Sequence, residues 1–186
     1  MKKIATLLML CFVLVGCSGK NQELERVMDF RADLLASMGC RFDAVITADY
    51  GDILHTFSVS CCSDENGGLT FTVTEPETIS GISGKISSEG GDLTFDDEVL
   101  AFELLADGQL TPVAAPWVLV KTLRGGYITA CGRSGELMQA SIDDRYEEDA
   151  LRLDIWFDEE NRPVQAEILY AQRRILSLEV KNFEFL

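Results

Sequence analysis

The chain has 186 residues, of which 31 are Asp or Glu and 16 are Lys or Arg, giving a formal net charge of −15 with a single histidine. That acidity repels nucleic acid and anionic lipid headgroups, which excludes nucleic-acid binding as a function class. Hydrophobic residues make up 47% of the chain, enough for one domain with a real core, and no shift in composition asks for a second.

Met1-Lys2-Lys3 precede an apolar run from Ile4 to Val15, and Leu14-Val15-Gly16-Cys17 closes it. A charged start, a short apolar stretch and a small residue at the cut form the pattern of a secretory signal. The apolar run is too short to span hydrocarbon as a helix. An ordinary signal with an incidental cysteine would need another cleavage site, and none fits as well. The stretch resembles the lipobox of bacterial lipoproteins. That resemblance implies removal of residues 1–16 and acylation of Cys17, which becomes the new N-terminus and holds the protein to the extracytoplasmic side of a membrane. Loss of Lys2 and Lys3 makes the mature chain more acidic still, so two acyl chains must hold it against its own charge. Residues 17–21 then read as a lipidated tether that reaches about 15 Å when extended, and residues 22–186 as one domain working close to the bilayer. Ser18 after the lipidated cysteine would permit outer-membrane sorting in a cell that has an outer membrane.

Gln22 to Met38 reads as an amphipathic helix in which Leu24, Val27, Met28, Leu34, Leu35 and Met38 keep helical spacing and Arg31 interrupts the stripe. Strands dominate after Gly39. Phe42, Ala44, Ile46, Ala48 and Tyr50 alternate with polar neighbours, Gly51-Asp52 makes a two-residue hairpin turn, and Ile53 to Cys62 alternate again. A two-residue turn sets Ile46 opposite Phe57 and Phe42 opposite Cys61, so apolar meets apolar. Cys61 then faces the core with Cys40 diagonal to it, which makes Cys40–Cys61 the best disulfide candidate in an exported protein. Cys62 faces the other way, and a reduced pool is the alternative.

Leu69 to Thr74 alternates cleanly with its threonines outward. Ile79 to Ile86, Asp92 to Phe95 and Glu98 to Leu105 follow as short strands, and Asp107-Gly108 ends the set. A short helix interrupts: Pro116 suits its first turn, Trp117 to Arg124 forms the body, and Gly125-Gly126 stops it. Strands resume at Tyr127–Cys131, Leu137–Ile142, Leu151–Phe157, Val164–Tyr170 and Ile175–Phe185, with Glu159-Glu160-Asn161-Arg162 as a hairpin loop. In the last strand the apolar face moves from Leu176, Leu178 and Val180 to Phe183 and Phe185, a phase slip that predicts a bulge near Lys181. Ten or eleven antiparallel strands and two helices make a mainly β (α+β) chain. A sheet of that size must roll up or be covered on its concave face, and the helices are the natural cover.

The acylated cysteine, the N-terminal helix, the long sheet and the mid-chain helix together resemble the LolA/LolB-like lipoproteins. That family's incomplete antiparallel β-barrel is lidded by helices over an apolar groove. Phe71 to Ile82, with Leu93-Thr94-Phe95, Pro112 and Pro116, is similar to lipoproteins of the germination (GerS) type in spore-forming Gram-positive bacteria. The resemblance implies one of two roles. One is a docking module for an envelope or spore protein such as a cell-wall amidase, and the other is a carrier or acceptor of acyl chains. Neither role implies a cofactor.

Catalytic signatures are weak. His55 falls on the expected apolar face of its strand, and the chain has no G-x-S-x-G elbow. A Cys–His pair with Cys40 or Cys61 is conceivable, but a packed histidine explains the residue more simply. The cysteine spacings are irregular for zinc, and the glycines near Gly81, Gly84, Gly90 and Gly91 precede no helix, so turn chemistry explains them. The segment from Asp143 to Glu160 holds nine carboxylates against Arg145 and Arg152. Its spacing matches no EF-hand loop. A carboxylate pair for glycoside hydrolysis could be drawn there as it could in many loops. A solvated loop and hairpin is the plain reading; Asp143, Asp144, Glu147, Glu148 and Asp149 could form an acidic docking surface. Trp117, Val120 and Leu123 are the candidate lid residues over an apolar groove, where a hydrophobic ligand or partner would touch both helix and sheet. The expectation is a non-enzymatic, membrane-anchored binding module, with the acyl carrier as its alternative.

Overall fold

A computed structural model describes residues 19–49, 51, 54–95, 98–102, 105–106, 109–147 and 149–186. Helix α1 (Gly19–Ala36) leads into β1 (Gly39–Asp49), β2 (Leu54–Asp64), β3 (Leu69–Glu75), β4 (Ser83–Ser87), β5 (Gly90–Phe95) and β6 (Glu98–Phe102). A small pair, β7 (Leu105–Ala106) and β8 (Gln109–Leu110), precedes α2 (Ala115–Gly125). The chain ends in β9 (Tyr127–Ser134), β10 (Leu137–Asp143), β11 (Arg152–Phe157), β12 (Pro163–Tyr170) and β13 (Arg173–Phe185). Eleven of these strands form one antiparallel sheet in the order β6-β5-β4-β3-β2-β1-β13-β12-β11-β10-β9.

The register is the one that the alternation demands. Phe42 lies opposite Cys61 and Ile46 opposite Phe57. Cys40, Phe42, Ala44, Ile46 and Ala48 are all buried on one face of β1. The turn residues Tyr50, Asp52 and Ile53 and the Asp107-Gly108 stop lie outside the described residues. In β13 the expected bulge is present: Arg41 pairs with Glu184 but Asp43 with Lys181, so one extra residue enters at Asn182, whose φ is 53°. The inserted residue turns Phe183 inward, where it stacks on Phe42 at 5.8 Å between ring centroids.

Some expectations shift. Ile79 to Gly81 is not strand: Pro76, which cannot donate to a ladder, is followed by a single 3-10 turn at Glu77–Ile79 before β4 begins. The strand expected over Glu98–Leu105 is described as β6 over Glu98–Phe102 and as β7 from Leu105, with residues 103 and 104 outside the described residues. His55 is exposed, and the buried positions of β2 begin only at Val59. Helix α1 begins at Gly19 instead of Gln22, which shortens the expected tether.

The inward face of α1 also differs from the expected stripe. Val27, Phe30 and Leu34 are buried, whereas Leu24, Met28, Leu35 and Met38 are exposed. Phe30 fixes this rotation. Its ring lies 5.1 Å from Phe157, 5.5 Å from Phe183 and 5.4 Å from Phe185, and such a cluster outweighs four scattered aliphatic contacts. Arg31 stays close to the inner side because its Nε donates to the Leu123 carbonyl of α2 at 2.7 Å; burial lowers the pKa of its guanidinium. Arg124 returns the tie, donating to the Leu34 and Glu65 carbonyls. Both helices lie over the same face of the sheet, and α2 is buried along most of its length.

The β12–β13 turn holds Ala171 at φ 48° and Gln172 at φ 65°, between the paired Tyr170 and Arg173. Two consecutive positive φ values are those of a type I′ turn, which favours glycine at its second position. Neither residue is the usual choice, and each such placement costs about 1–3 kcal/mol. Gln172→Gly is therefore expected to stabilise the protein by about 1 kcal/mol, seen as a rise of about 2–4 °C in a thermal melt; an unchanged or lower melting temperature would count against strain in this turn.

Candidate functional site

The concave face is not filled to its end. A cavity of about 670 Å³ opens beside α2, within the size range of small-molecule sites. Leu110, Val118, Leu151, Ile175 and Leu176 supply its apolar lining. Trp117 lines it too, with its indole N–H donating to the Gly67 carbonyl at 3.1 Å, so the ring is fixed by the β2–β3 turn. Lys121 lies one helical turn further along α2, with Nζ 5.0 Å from the centre of that ring. Thr122 also lines the cavity, and its Oγ1 is buried without a hydrogen-bond partner.

Of the three lid residues expected from sequence, only Trp117 lines the cavity. Val120 and Leu123 are each 1% exposed and belong to the packed core. The reason is rotation about the helix axis: Val118, Lys121 and Thr122 share one face, and Val120 and Leu123 lie on the other side. Lys121, an exposed cation between the buried Val120 and Thr122, is the visible signal for the cavity-facing side. Leu151, Tyr170 and Arg173 come from loops and strand ends that periodicity does not connect to α2.

The acidic segment forms one wall of the cavity mouth, and Asp144, Arg145 and Asp149 line it. Its charges are largely braced against each other. Asp143 pairs with Arg152 at 3.0 Å, and that bond raises the pKa of the arginine. Arg145 reaches Glu147 at 3.3 Å and Asp149 at 3.0 Å. Asp144 Oδ1 accepts the Leu151 amide at 2.8 Å and so shapes the loop. Glu148 lies outside the described residues. The five carboxylates expected as a docking surface are thus represented by four described ones, of which Asp143, Glu147 and Asp149 have arginine partners.

Cys40 and Cys61 are both buried on the core face, as the register requires, but both are free thiols. The residue directly opposite Cys40 is Ser63, and Cys40 Sγ lies 3.2 Å from Ser63 Oγ. Diagonal neighbours in an antiparallel pair are separated by about 7–8 Å, beyond the Cβ separation of about 3.5–4.5 Å that a disulfide needs. Burial raises the pKa of both thiols. Cys17 lies outside the described residues, two positions before α1 begins. Among the described residues no group of His, Cys, Asp or Glu is placed to hold a metal ion, and no helix is long and apolar enough to cross a membrane.

No protein-family model matches this chain, and no curated protein does. Solved structures similar in fold include an uncharacterized conserved protein from Thermus thermophilus (11% identity, TM-score 0.48, covering 88% of this chain and 87% of that one). A LolA superfamily protein from Nitrosomonas europaea is similar as well (11% identity, TM-score 0.45, covering 84% and 91%). So is the lipoprotein LppX of Mycobacterium tuberculosis (10% identity, TM-score 0.42, covering 87% and 93%). The chain itself forms one open eleven-stranded antiparallel sheet with two helices over one face.

The free, buried thiols have a chemical consequence. On treatment of the native protein with iodoacetamide near pH 8, exposed Cys62 is expected to be alkylated first, and Cys40 and Cys61 only after unfolding. Peptide mapping reads this directly, and a Cys40–Cys61 crosslinked peptide would overturn it.

Proposed function

We propose that this chain is a non-enzymatic, extracytoplasmic lipoprotein that carries or accepts an amphiphile, holding its acyl chain in the cavity beside α2. The observation that carries this reading is the cavity itself. An acyl carrier needs vacant apolar volume under its covering helices, and a concave face packed by the protein's own side chains would leave none. Here the face is filled beneath α1 and vacant beside α2. The bracing of the acidic loop weighs against the other role, a docking surface for a protein such as a cell-wall amidase, because most of its described carboxylates already have partners.

In this reading Cys17 is acylated and the anchor brings the cavity to the membrane surface where such ligands reside. Two membrane-bound acyl chains hold a protein that one would release. Cys17→Ala is therefore expected to move the protein from the membrane fraction to the soluble fraction on fractionation of expressing cells. Full retention at the membrane would refute the anchor.

The ligand reading is tested in membranes that hold the full chain and a phospholipid with a photoactivatable acyl chain. Crosslinks are expected in peptides containing Val118, Leu151 and Ile175. Ile175→Trp, which fills part of the cavity wall, is expected to reduce them at least several-fold while leaving the melting temperature within a few degrees. Crosslinks confined to the residues next to Cys17, or unaffected by Ile175→Trp, would refute it.

A further inference from the structure

We infer that the cavity selects amphiphiles with an anionic head group, held at its mouth by Lys121 and Arg173. This rests on the proposal that the cavity takes an acyl chain. Six charged side chains line the cavity: Asp49, Lys121, Asp144, Arg145, Asp149 and Arg173. By count they balance, but their partners do not. Asp49 Oδ1 accepts the Gly51 amide at 2.8 Å, Asp144 Oδ1 accepts the Leu151 amide at 2.8 Å, and Asp149 pairs with Arg145 at 3.0 Å. Arg145 is held by Glu147 as well. The three acids and one of the three cations are therefore engaged in shaping the rim.

Lys121 and Arg173 are not. Among the described residues neither has an ion pair: Lys121 rests on the Trp117 ring and Arg173 projects from the end of the β12–β13 turn. Most other described basic side chains are committed. Arg41, Arg133, Arg152 and Arg174 pair with carboxylates, and Arg26, Arg31 and Arg124 donate to backbone carbonyls. In a protein of net charge −15, two uncommitted cations on one apolar cavity are a binding feature for a carboxylate or phosphate, whose oxygens would accept charge-assisted hydrogen bonds from both. The apolar lining then takes the chain. Buried Thr122 Oγ1, unpartnered in the cavity wall, supplies a further polar atom behind the mouth.

The test compares three photoactivatable probes with the same sixteen-carbon chain, a carboxylate, a phosphate monoester and an alcohol. Each is added to isolated membranes holding the full chain, at matched amounts partitioned into the membrane. Labelling of peptides containing Leu151 and Ile175 is expected to favour one or both anions over the alcohol by about tenfold, the scale of a charge-assisted hydrogen bond, and which anion leads identifies carboxylate or phosphate as the head group. In the double variant Lys121→Gln, Arg173→Gln the anion-to-alcohol ratio is expected to fall towards one. Because that ratio is taken within each protein, any general loss of binding cancels. Equal labelling by all three probes would overturn the head-group inference and leave the acyl reading standing. A ratio unchanged by the double variant would overturn the assignment to these two residues. Absence of cavity labelling by every probe would overturn both readings.

Discussion

The fold depends on one seam, the pairing of β1 with β13. These strands come from opposite ends of the chain, and their ladder joins β1–β6 to β9–β13 as one sheet. Without it the two halves would each present an open edge and half a hydrophobic face. The seam carries a built-in correction at Asn182. A strand in strict alternation after Val180 would place Asn182 inward and Phe183 outward; the bulge reverses this. Phe183 then meets Phe42 across the seam and Phe30 above it. One inserted residue thus places the aromatic cluster that docks α1, and α1 in turn orients α2 through Arg31 and Arg124.

The cavity follows from where those aromatic rings stop. Beneath α1 the sheet is filled by Phe30, Phe42, Phe157 and Phe183, all buried. Truncating such a ring costs about 3–5 kcal/mol in a typical core, so this half of the interior contributes heavily to stability. Beside α2 the lining is mostly aliphatic, with Val118, Leu151, Ile175 and Leu176 beside the rings of Trp117 and Tyr170, and a space of about 670 Å³ remains. Helix α2 does not close it because its bulk is spent on the other side, where Leu119, Val120 and Leu123 pack into the core.

Much of this was legible in the sequence because strands obey a period of two. The β1–β2 register followed from alternation and a two-residue turn, and the bulge from a phase slip in one strand. The limits of α2 followed from Pro116 and the glycine pair. Helix faces were less legible. The α1 stripe drawn through Leu24, Val27, Met28, Leu34, Leu35 and Met38 has helical spacing, and Val27 and Leu34 of it are buried, yet Phe30 sets the rotation through contacts with Phe157, Phe183 and Phe185, residues more than a hundred positions away. The candidate site was legible in the same uneven way. Trp117 was visible as a large apolar residue on a short helix, but Val120 and Leu123 have the same character and point elsewhere. The disulfide expectation rested on a shared face, but the same register that puts Phe42 opposite Cys61 puts Cys40 directly opposite Ser63 and only diagonal to Cys61.

Charge at two length scales explains how an acidic protein could still prefer an anionic ligand. The net charge of −15 acts at long range, and salt screens it beyond about 8 Å at physiological ionic strength. It opposes the approach of an anion from bulk water. A ligand entering from the bilayer, as the proposed anchor at Cys17 requires, crosses little of that field. At the mouth the relevant distances are a few ångströms, inside the screening length, and the nearest acids are bound to the Gly51 and Leu151 amides and to Arg145. Two charges 4 Å apart interact by roughly 4 kcal/mol near a protein surface, against about 1 kcal/mol in bulk water. The short-range pair therefore outweighs the screened global repulsion. In this proposal the attraction is local to the cavity lined by Lys121 and Arg173, which have no ion pair among the described residues.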